Sequence, residues 1–279
     1  MSKQNKYDKV NILGIECDLM TVRETFEYFE NHLKSNNKTI YVVKPYVEFM
    51  TAASGNHGLA HIINQADLCL ADGVSLQWAA SFLYGVPKTK KTIFSLIKSL
   101  LIDIQNKKWR EQIIVERGAG VDVTRKLLAL ASDKKWRVGI ITGKTDQTPV
   151  IAQALGQIFP RLNLIDVWPG YFNKAEEENI IKEVAGLRLD ILFVARGFPI
   201  QEKFIFQHKD AGLARIMIGE GGSFDYDQLG GNIKRAPVFM RRSGLEWLWR
   251  FMIQPRRITR MFAIPRFIWL VYLAAKRQK

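Results

Sequence analysis

The sequence predicts an α/β fold: a largely parallel, Rossmann-like sheet with flanking helices, followed by a basic, aromatic C-terminal helical appendage. Three observations predict it. Short β-branched runs recur with helical stretches between them, four of the loops that follow these runs carry charged or glycine-rich chemistry, and positive charge is concentrated near the C-terminus. With 279 residues, 47% of them hydrophobic, the chain is too apolar for disorder and long enough for one large or two modest domains.

The elements follow in order. A first strand is expected over Val10 to Ile15, then a helix over Thr21 to Lys34, where Thr21 and Glu24 have the spacing of a capping box. Strands are expected over Thr39 to Val43 and Leu68 to Ala71. The next segment, Lys88 to Gln112, is basic and amphipathic through Ile93, Leu96, Ile97, Leu100, Leu101 and Ile104; it reads as a core helix, with a membrane-facing helix as the alternative. Helices over Val121 to Ser132, Thr148 to Ile158 and Lys174 to Val184 alternate with strands over Arg137 to Thr142, Asn163 to Val167, Asp190 to Ala195 and Arg215 to Gly219. The simplest division is one compact domain over 8–240 and an appendage over 241–279.

The 41 Lys and Arg outnumber the 27 Asp and Glu, for a net charge of +14. From Gly231 onward there are twelve Lys or Arg and a single acid, Glu246, interleaved with Trp247, Trp249, Phe251, Phe262, Phe267, Trp269 and Tyr272. Such a mixture suits an anionic membrane surface or single-stranded nucleic acid. The spacing favours the membrane: Leu245, Leu248, Trp249 and Met252 fall at helical intervals, Arg250, Arg256, Arg257 and Arg260 follow, and Pro255 and Pro265 divide the segment into short helices. For Gly244 to Met252, packing on the chain's own domain weighs equally; for Ile264 to Lys279 the interfacial reading is preferred. Nucleic acid is not an expected partner, because it would leave the four loaded loops unexplained. Trp78 and Phe82 are compatible with a homo-oligomer.

The longest uncharged apolar run, Phe267 to Ala275, is nine residues, against roughly 20 for a spanning helix, so no crossing of a bilayer is expected. The N-terminus carries no signal-peptide pattern, and two cysteines, Cys17 and Cys69, make no disulfide framework. A reducing compartment is expected.

Ligands bind an open α/β sheet at the carboxyl ends of its strands, where helix N-termini converge. The loops expected there are Lys44-Pro45-Tyr46-Val47-Glu48, Asp72-Gly73-Val74-Ser75, Arg196-Gly197-Phe198-Pro199-Ile200-Gln201-Glu202 and Gly219-Glu220-Gly221-Gly222-Ser223-Phe224-Asp225. Three look-alikes are set aside. Gly139 to Thr145 is one residue short of a phosphate loop and reads as a strand-ending turn. His57 and His61 have metal-ligand spacing without a third ligand nearby. Asp225-Tyr226-Asp227 imitates a metal clamp, but its setting equally suits a carboxylate that binds hydroxyls.

In this order, a set of motifs resembles the WecG/TagA/CpsF glycosyltransferases, known as glycosyltransferase family 26. The set comprises Val10-Asn11-Ile12-Leu13-Gly14, Ala66-Asp67-Leu68 with Asp72-Gly73, Glu116-Arg117 with Gly120 and Asp122, Gly170-Tyr171-Phe172, Pro199-x-Gln201-Glu202-Lys203, Phe224-Asp225, Lys234-Arg235-Ala236-Pro237 and Leu245-Glu246-Trp247 to Pro255-Arg256-Arg257. The resemblance covers nearly the whole chain. It implies transfer of a sugar such as N-acetylmannosamine, with inversion, from a UDP donor to a sugar on a polyprenyl diphosphate, in the making of surface polysaccharide, capsule or teichoic acid.

It also implies roles. Asp72 is the expected general base, Arg117 the group facing the leaving diphosphate, and Gln201 and Glu202 part of the donor pocket. The four loops themselves add Lys44, Tyr46, Arg196, Gly197, Gly221, Gly222 and Asp225 as further substrate-binding candidates. Arg235, Arg256, Arg257 and Arg260 are expected to meet lipid phosphate, since a guanidinium binds phosphate oxygens in pairs. No cofactor or metal is expected, with Asp225 and Asp227 as the place to test. The implied location is the cytoplasmic face of the membrane, peripherally bound.

Departures from the family pattern cluster at the site. Lys44 and Tyr46 stand where the family usually shows Thr-x-Asn, Ser75 ends what is usually Asp-Gly-x-Gly, Arg196 replaces a small or apolar residue, and Glu220 an apolar one. They point to an altered donor or acceptor, with a catalytically silent nucleotide-sugar binding protein as the alternative.

Overall fold

The computed structural model describes residues 8–35, 38–87, 91–118, 120–238, 240, 246–253 and 262–277. The chain opens with an antiparallel hairpin, β1 (Lys9–Ile12) and β2 (Ile15–Asp18), that forms its own two-stranded sheet. The run Val10 to Ile15 is therefore two strands rather than one. It breaks at Leu13 and Gly14, both with positive φ, as a tight hairpin turn requires.

The body is a six-stranded, all-parallel sheet of β3 (Ile40–Val43), β4 (Leu68–Cys69), β5 (Arg137–Thr142), β6 (Asn163–Trp168), β7 (Leu189–Ala195) and β8 (Ala214–Gly219), in spatial order β4-β3-β8-β7-β5-β6. Alternate residues of its strands serve opposite faces, as the two-residue period demands. Tyr41, Val43, Leu192, Val194 and Met217 join the core on one face; Ile40, Val42, Ile191, Phe193, Ile216 and Ile218 join that on the other.

Helices cover both faces. On one lie α1 (Val22–Ser35), α7 (Val121–Lys134) and α8 (Thr148–Ile158), burying Phe29, Leu128 and Leu155. On the other lie α2 (Val47–Ala53), α3 (His57–Asn64), α4 (Val74–Ala80), α9 (Lys174–Ala185) and α10 (Ile200–His208), burying Phe49, Ile63, Trp78, Val184 and Phe204. The capping box at α1 forms: the Thr21 amide donates to the Glu24 carboxylate at 2.8 Å and the Glu24 amide to Thr21 Oγ1 at 3.2 Å. Trp78 and Phe82 are buried in the chain's own core, stacked at 5.7 Å, and offer no surface to a second copy.

The segment from Ile93 to Arg110 forms α5 (Ile93–Gln105) and α6 (Lys107–Arg110). The expectation of a core helix is only half met: Leu96 and Ser99 are buried, while Ile93, Phe94, Ile97 and Leu101 are exposed.

The final helix, Ala263–Arg277, docks on the α/β body through Phe267, Val271 and Ala275, all buried and spaced four residues apart. Its apolar stripe faces α2 and Trp78, which corrects the interfacial reading of Ile264 to Lys279; Phe262 and Trp269 remain exposed. The helix Glu246–Ile253 is tied to the body by Trp249, whose indole donates to the Lys234 carbonyl at 3.0 Å, with Met252 and Ile253 exposed. Among the described residues no helix is long and apolar enough to cross a membrane.

Candidate active site

Because every strand of the main sheet points the same way, the loops after β3, β4, β5, β6, β7 and β8 emerge at one edge, and neighbouring loops are stitched together. The Asp72 amide donates to the Pro45 carbonyl at 2.8 Å, joining the β4 and β3 loops. Lys44 and Glu220 form a buried ion pair joining β3 to β8. Gln201 Oε1 accepts from the amides of Gly197, at 3.2 Å, and Gly221, at 2.8 Å, joining β7 to β8. Arg196 Nε donates to the Gly170 carbonyl at 2.7 Å, and the Gly170 amide to the Gly143 carbonyl at 2.9 Å, joining β7, β6 and β5. Each link replaces a loop's own freedom with a fixed position, which a site needs before it can orient a substrate.

Asp72 sits half-exposed in this edge, directly before Gly73, whose φ of 92° turns the chain into α4. Arg117 is exposed in the loop that leads into α7; the next residue, Gly118, packs so close to Leu70 that a Cβ there would meet Leu70 Cβ at 2.8 Å. That contact seats the Arg117 loop beside the strand end that delivers Asp72. The carboxylate of Glu116 caps α1 by accepting from the Val22 amide at 2.9 Å.

The Lys44–Glu220 pair has a third member that sequence reasoning missed. Thr124, in the first turn of α7, donates its hydroxyl to Glu220 Oε2 at 2.7 Å. A small cleft beneath the edge is lined by Lys44, Glu220, Thr124, Leu70, Gly118 and Phe29. No local pattern marks Thr124 as part of this group, since Glu220 lies 96 residues away in the chain. Tyr46 is engaged within the edge: its hydroxyl donates to Glu48 at 3.1 Å and its ring packs on Phe49 at 4.8 Å, which in turn stacks on Phe198 at 3.9 Å.

Gln201 and Glu202 lie under the loops rather than at their surface. They are 2% and 0% exposed, so neither side chain stands where a donor could touch it. Gln201 Nε2 donates to Glu202 Oε1 at 2.7 Å, which orients the amide so that its oxygen receives both glycine N–H groups. Glu202 Oε2 is buried without a hydrogen-bond partner among the described residues, and burial pushes this carboxyl up to about 8. Arg196 is also engaged: its guanidinium lies 3.6 Å from the centroid of the Phe172 ring and 3.5 Å from Glu177. Burial holds its pKa below the usual arginine value. Tyr171, beside it, is exposed and presents a ring at the edge.

Asp225 is half-buried and Asp227 exposed. Gly231 lies so close to the Asp225 backbone that a Cβ would sit 2.1 Å from its carbonyl, so only glycine fits there. Among the described residues no group of three or more His, Cys, Asp or Glu is gathered to hold a metal. Arg235 pairs with Asp122 at 3.0 Å and lies 5.1 Å from the centroid of the Tyr226 ring. Arg256, Arg257 and Arg260 fall outside the described residues.

Comparison with known proteins gives one consistent result. The sequence model of the glycosyl transferase WecG/TagA/CpsF family matches residues 10–114 and 108–279. An N-acetylglucosaminyldiphosphoundecaprenol N-acetyl-beta-D-mannosaminyltransferase of Bacillus subtilis (strain 168) is 35% identical over 163 residues, 58% of this chain and 62% of that one. The protein of the same name from Staphylococcus aureus (strain MRSA252) is 28% identical over 276 residues, 97% of this chain and 95% of its own.

Proposed function

The chain belongs to the WecG/TagA/CpsF family of glycosyl transferases, and from that premise we propose that it moves an N-acetylmannosamine-type sugar from a UDP donor to N-acetylglucosamine on a polyprenyl diphosphate. The observation that carries this reading is that the family match runs through both halves of the sheet edge. Residues 10–114 bring Lys44 and Asp72; residues 108–279 bring Arg117, Gln201, Glu220 and Asp225.

The chemistry asks for little more than that edge offers. An acceptor hydroxyl is a poor nucleophile, so Asp72 takes its proton as the oxygen bonds to the anomeric carbon. The bond from that carbon to the UDP oxygen breaks on the opposite face, which inverts the centre. Negative charge builds on the departing diphosphate, where Arg117 and the N-terminus of α7 stabilise it. Glu202, Gln201 and the Lys44–Glu220 pair hold the loops and touch neither substrate. The acceptor is lipid-linked, so the enzyme works at the cytoplasmic face of the membrane, and arginines of the basic C-terminal segment meet the acceptor's phosphates. No metal is required.

Transfer from a panel of labelled UDP-sugars to a short-chain polyprenyl diphosphate–GlcNAc acceptor, with and without EDTA, tests this. Product that disappears in Asp72→Asn, while UDP binding survives, is the expected result. Turnover unchanged in that variant overturns the base assignment, loss of product in EDTA overturns the metal-free chemistry, and UDP binding with no transfer from any donor assigns a binding protein instead.

A further inference from the structure

Helix α5 keeps an apolar face that the body of the protein does not cover. Ile93, Phe94, Ile97 and Leu101 are 52%, 74%, 54% and 60% exposed, and at 3.6 residues per turn they fall within about 100° of arc. The opposite side of the helix is well anchored. Leu96 is buried, Ser99 Oγ accepts from the Trp78 indole at 3.1 Å, and Asp103 faces Arg110 at 3.9 Å. The exposed stripe is thus held on a fixed helix rather than a loose segment, and so large a contiguous apolar surface marks a place of contact.

The charges around the stripe choose the partner. Between Pro87 and Gln112 there are seven Lys or Arg and two acids. Both acids are already matched, Asp103 by Arg110 and Glu111 by Lys107 at 3.6 Å. The surplus is positive, with Lys98 and Lys108 exposed. At 13 residues the helix is too short to span a bilayer but has the form of one that lies in its surface, apolar side chains inward and lysines level with the headgroups. Trp78 places the helix in the molecule: its indole donates to Ser99 of α5 and its ring lies 6.5 Å from Phe267 of the final helix, so α5 and the final helix are seated on the same core residue.

We infer that α5 is a membrane-docking helix, which seats Phe94, Ile97 and Leu101 in the interfacial layer of an anionic bilayer and holds the sheet edge near a lipid-linked acceptor. The docking itself is independent of which sugar is moved; only its purpose rests on the proposed transfer.

The test uses the full chain with the triple variant Phe94→Ser/Ile97→Ser/Leu101→Ser and vesicles of phosphatidylglycerol and phosphatidylcholine. Partitioning should weaken by at least about tenfold, with the thermal midpoint and turnover on a water-soluble acceptor unchanged, because these side chains are exposed in the free protein. A nitroxide on Ile97→Cys, selective because Cys17 and Cys69 are buried, should gain oxygen accessibility on adding vesicles. Unchanged partitioning with the label still aqueous overturns the inference. So does a fall in oligomeric mass in the triple variant with vesicle binding intact, which would assign the face to a second copy. If the wild type shows no transfer from any donor, the functional reading fails while the partitioning result still stands.

Discussion

Lys44 and Glu220, 176 residues apart in the chain, are each other's partners in a buried ion pair that closes the gap between β3 and β8. Both are among the residues that, by the resemblance, depart from the family pattern. Two unrelated losses of function would leave a buried charge unmatched, whereas here each charge answers the other and Thr124 completes the carboxylate's hydrogen bonding. Removing only the cation, in Lys44→Met, leaves a desolvated carboxylate and should cost about 3–5 kcal/mol. Lys44→Met/Glu220→Leu should recover most of that loss, because replacing both charges with apolar groups is close to neutral. Urea unfolding of the two single variants and the double variant measures the coupling, and a double variant destabilised by the sum of the two single losses would show that the two charges act independently.

Glu202 makes stability depend on pH in a definite direction. Its carboxyl titrates near 8 in the folded protein because it is buried, and near the ordinary carboxylate value of 4.5 when unfolded. The folded state therefore binds the extra proton between these values. Its contribution is complete below about 4.5 and is lost as pH rises toward 8, at up to about 1.4 kcal/mol per pH unit. Glu202→Gln keeps an oxygen to accept from Gln201 and carries no proton to lose. Its thermal midpoint should exceed that of the wild type at pH 8 and match it near pH 5; a variant with the same pH slope as the wild type would rule out Glu202 as the titrating group.

Arg196 was expected from its loop position to meet substrate, yet its guanidinium is committed to Gly170, Glu177 and the Phe172 ring. Lysine cannot serve a carbonyl, a carboxylate and an aromatic face with one planar group. Arg196→Lys should cost about 1–3 kcal/mol of stability and leave UDP affinity within about twofold once the protein is folded. Titration of UDP by calorimetry separates the two roles, since a large loss of affinity at unchanged thermal midpoint would return Arg196 to the donor pocket.

The sequence made the sheet readable because its strands are short β-branched runs, buried on both faces, with helices between them. The loops at its carboxyl edge were readable for the same reason, as they follow those runs. What stayed hidden depends on three-dimensional partnership. The hairpin at Leu13-Gly14 lies inside a continuous apolar run, with none of the Asn-Gly signal that marks most such turns. Gln201 and Glu202 read as site residues, because a polar pair at the start of a helix gives no sign of being roofed by the glycines of two other loops. The amphipathic pattern of α5 shows that one face is apolar but not which face the body covers; that is set by Ser99 and Trp78. The stripe of the final helix is apolar for the opposite reason, being spent on the core.

That last difference decides what truncation will do. Deleting 263–279 removes Phe267 and Val271 from the core, at about 1.5–3 kcal/mol each, and uncovers Trp78 and the outer surface of α2. The shortened protein should unfold at a lower temperature and aggregate, so its failure to bind vesicles would say nothing about lipid contact. Trp269 offers the cleaner probe, because it lies on the outer side of the same helix, 52% exposed. Trp269→Ala should leave the thermal midpoint within about 2 °C of the wild type, as expected for a surface change of at most about 0.5 kcal/mol. If the basic C-terminal region meets the membrane beside α5, the same variant should bind anionic vesicles more weakly, and combining it with Ile97→Ser should weaken binding further than either alone. Wild-type binding in Trp269→Ala would confine the lipid contact to α5 and to segments other than the final helix.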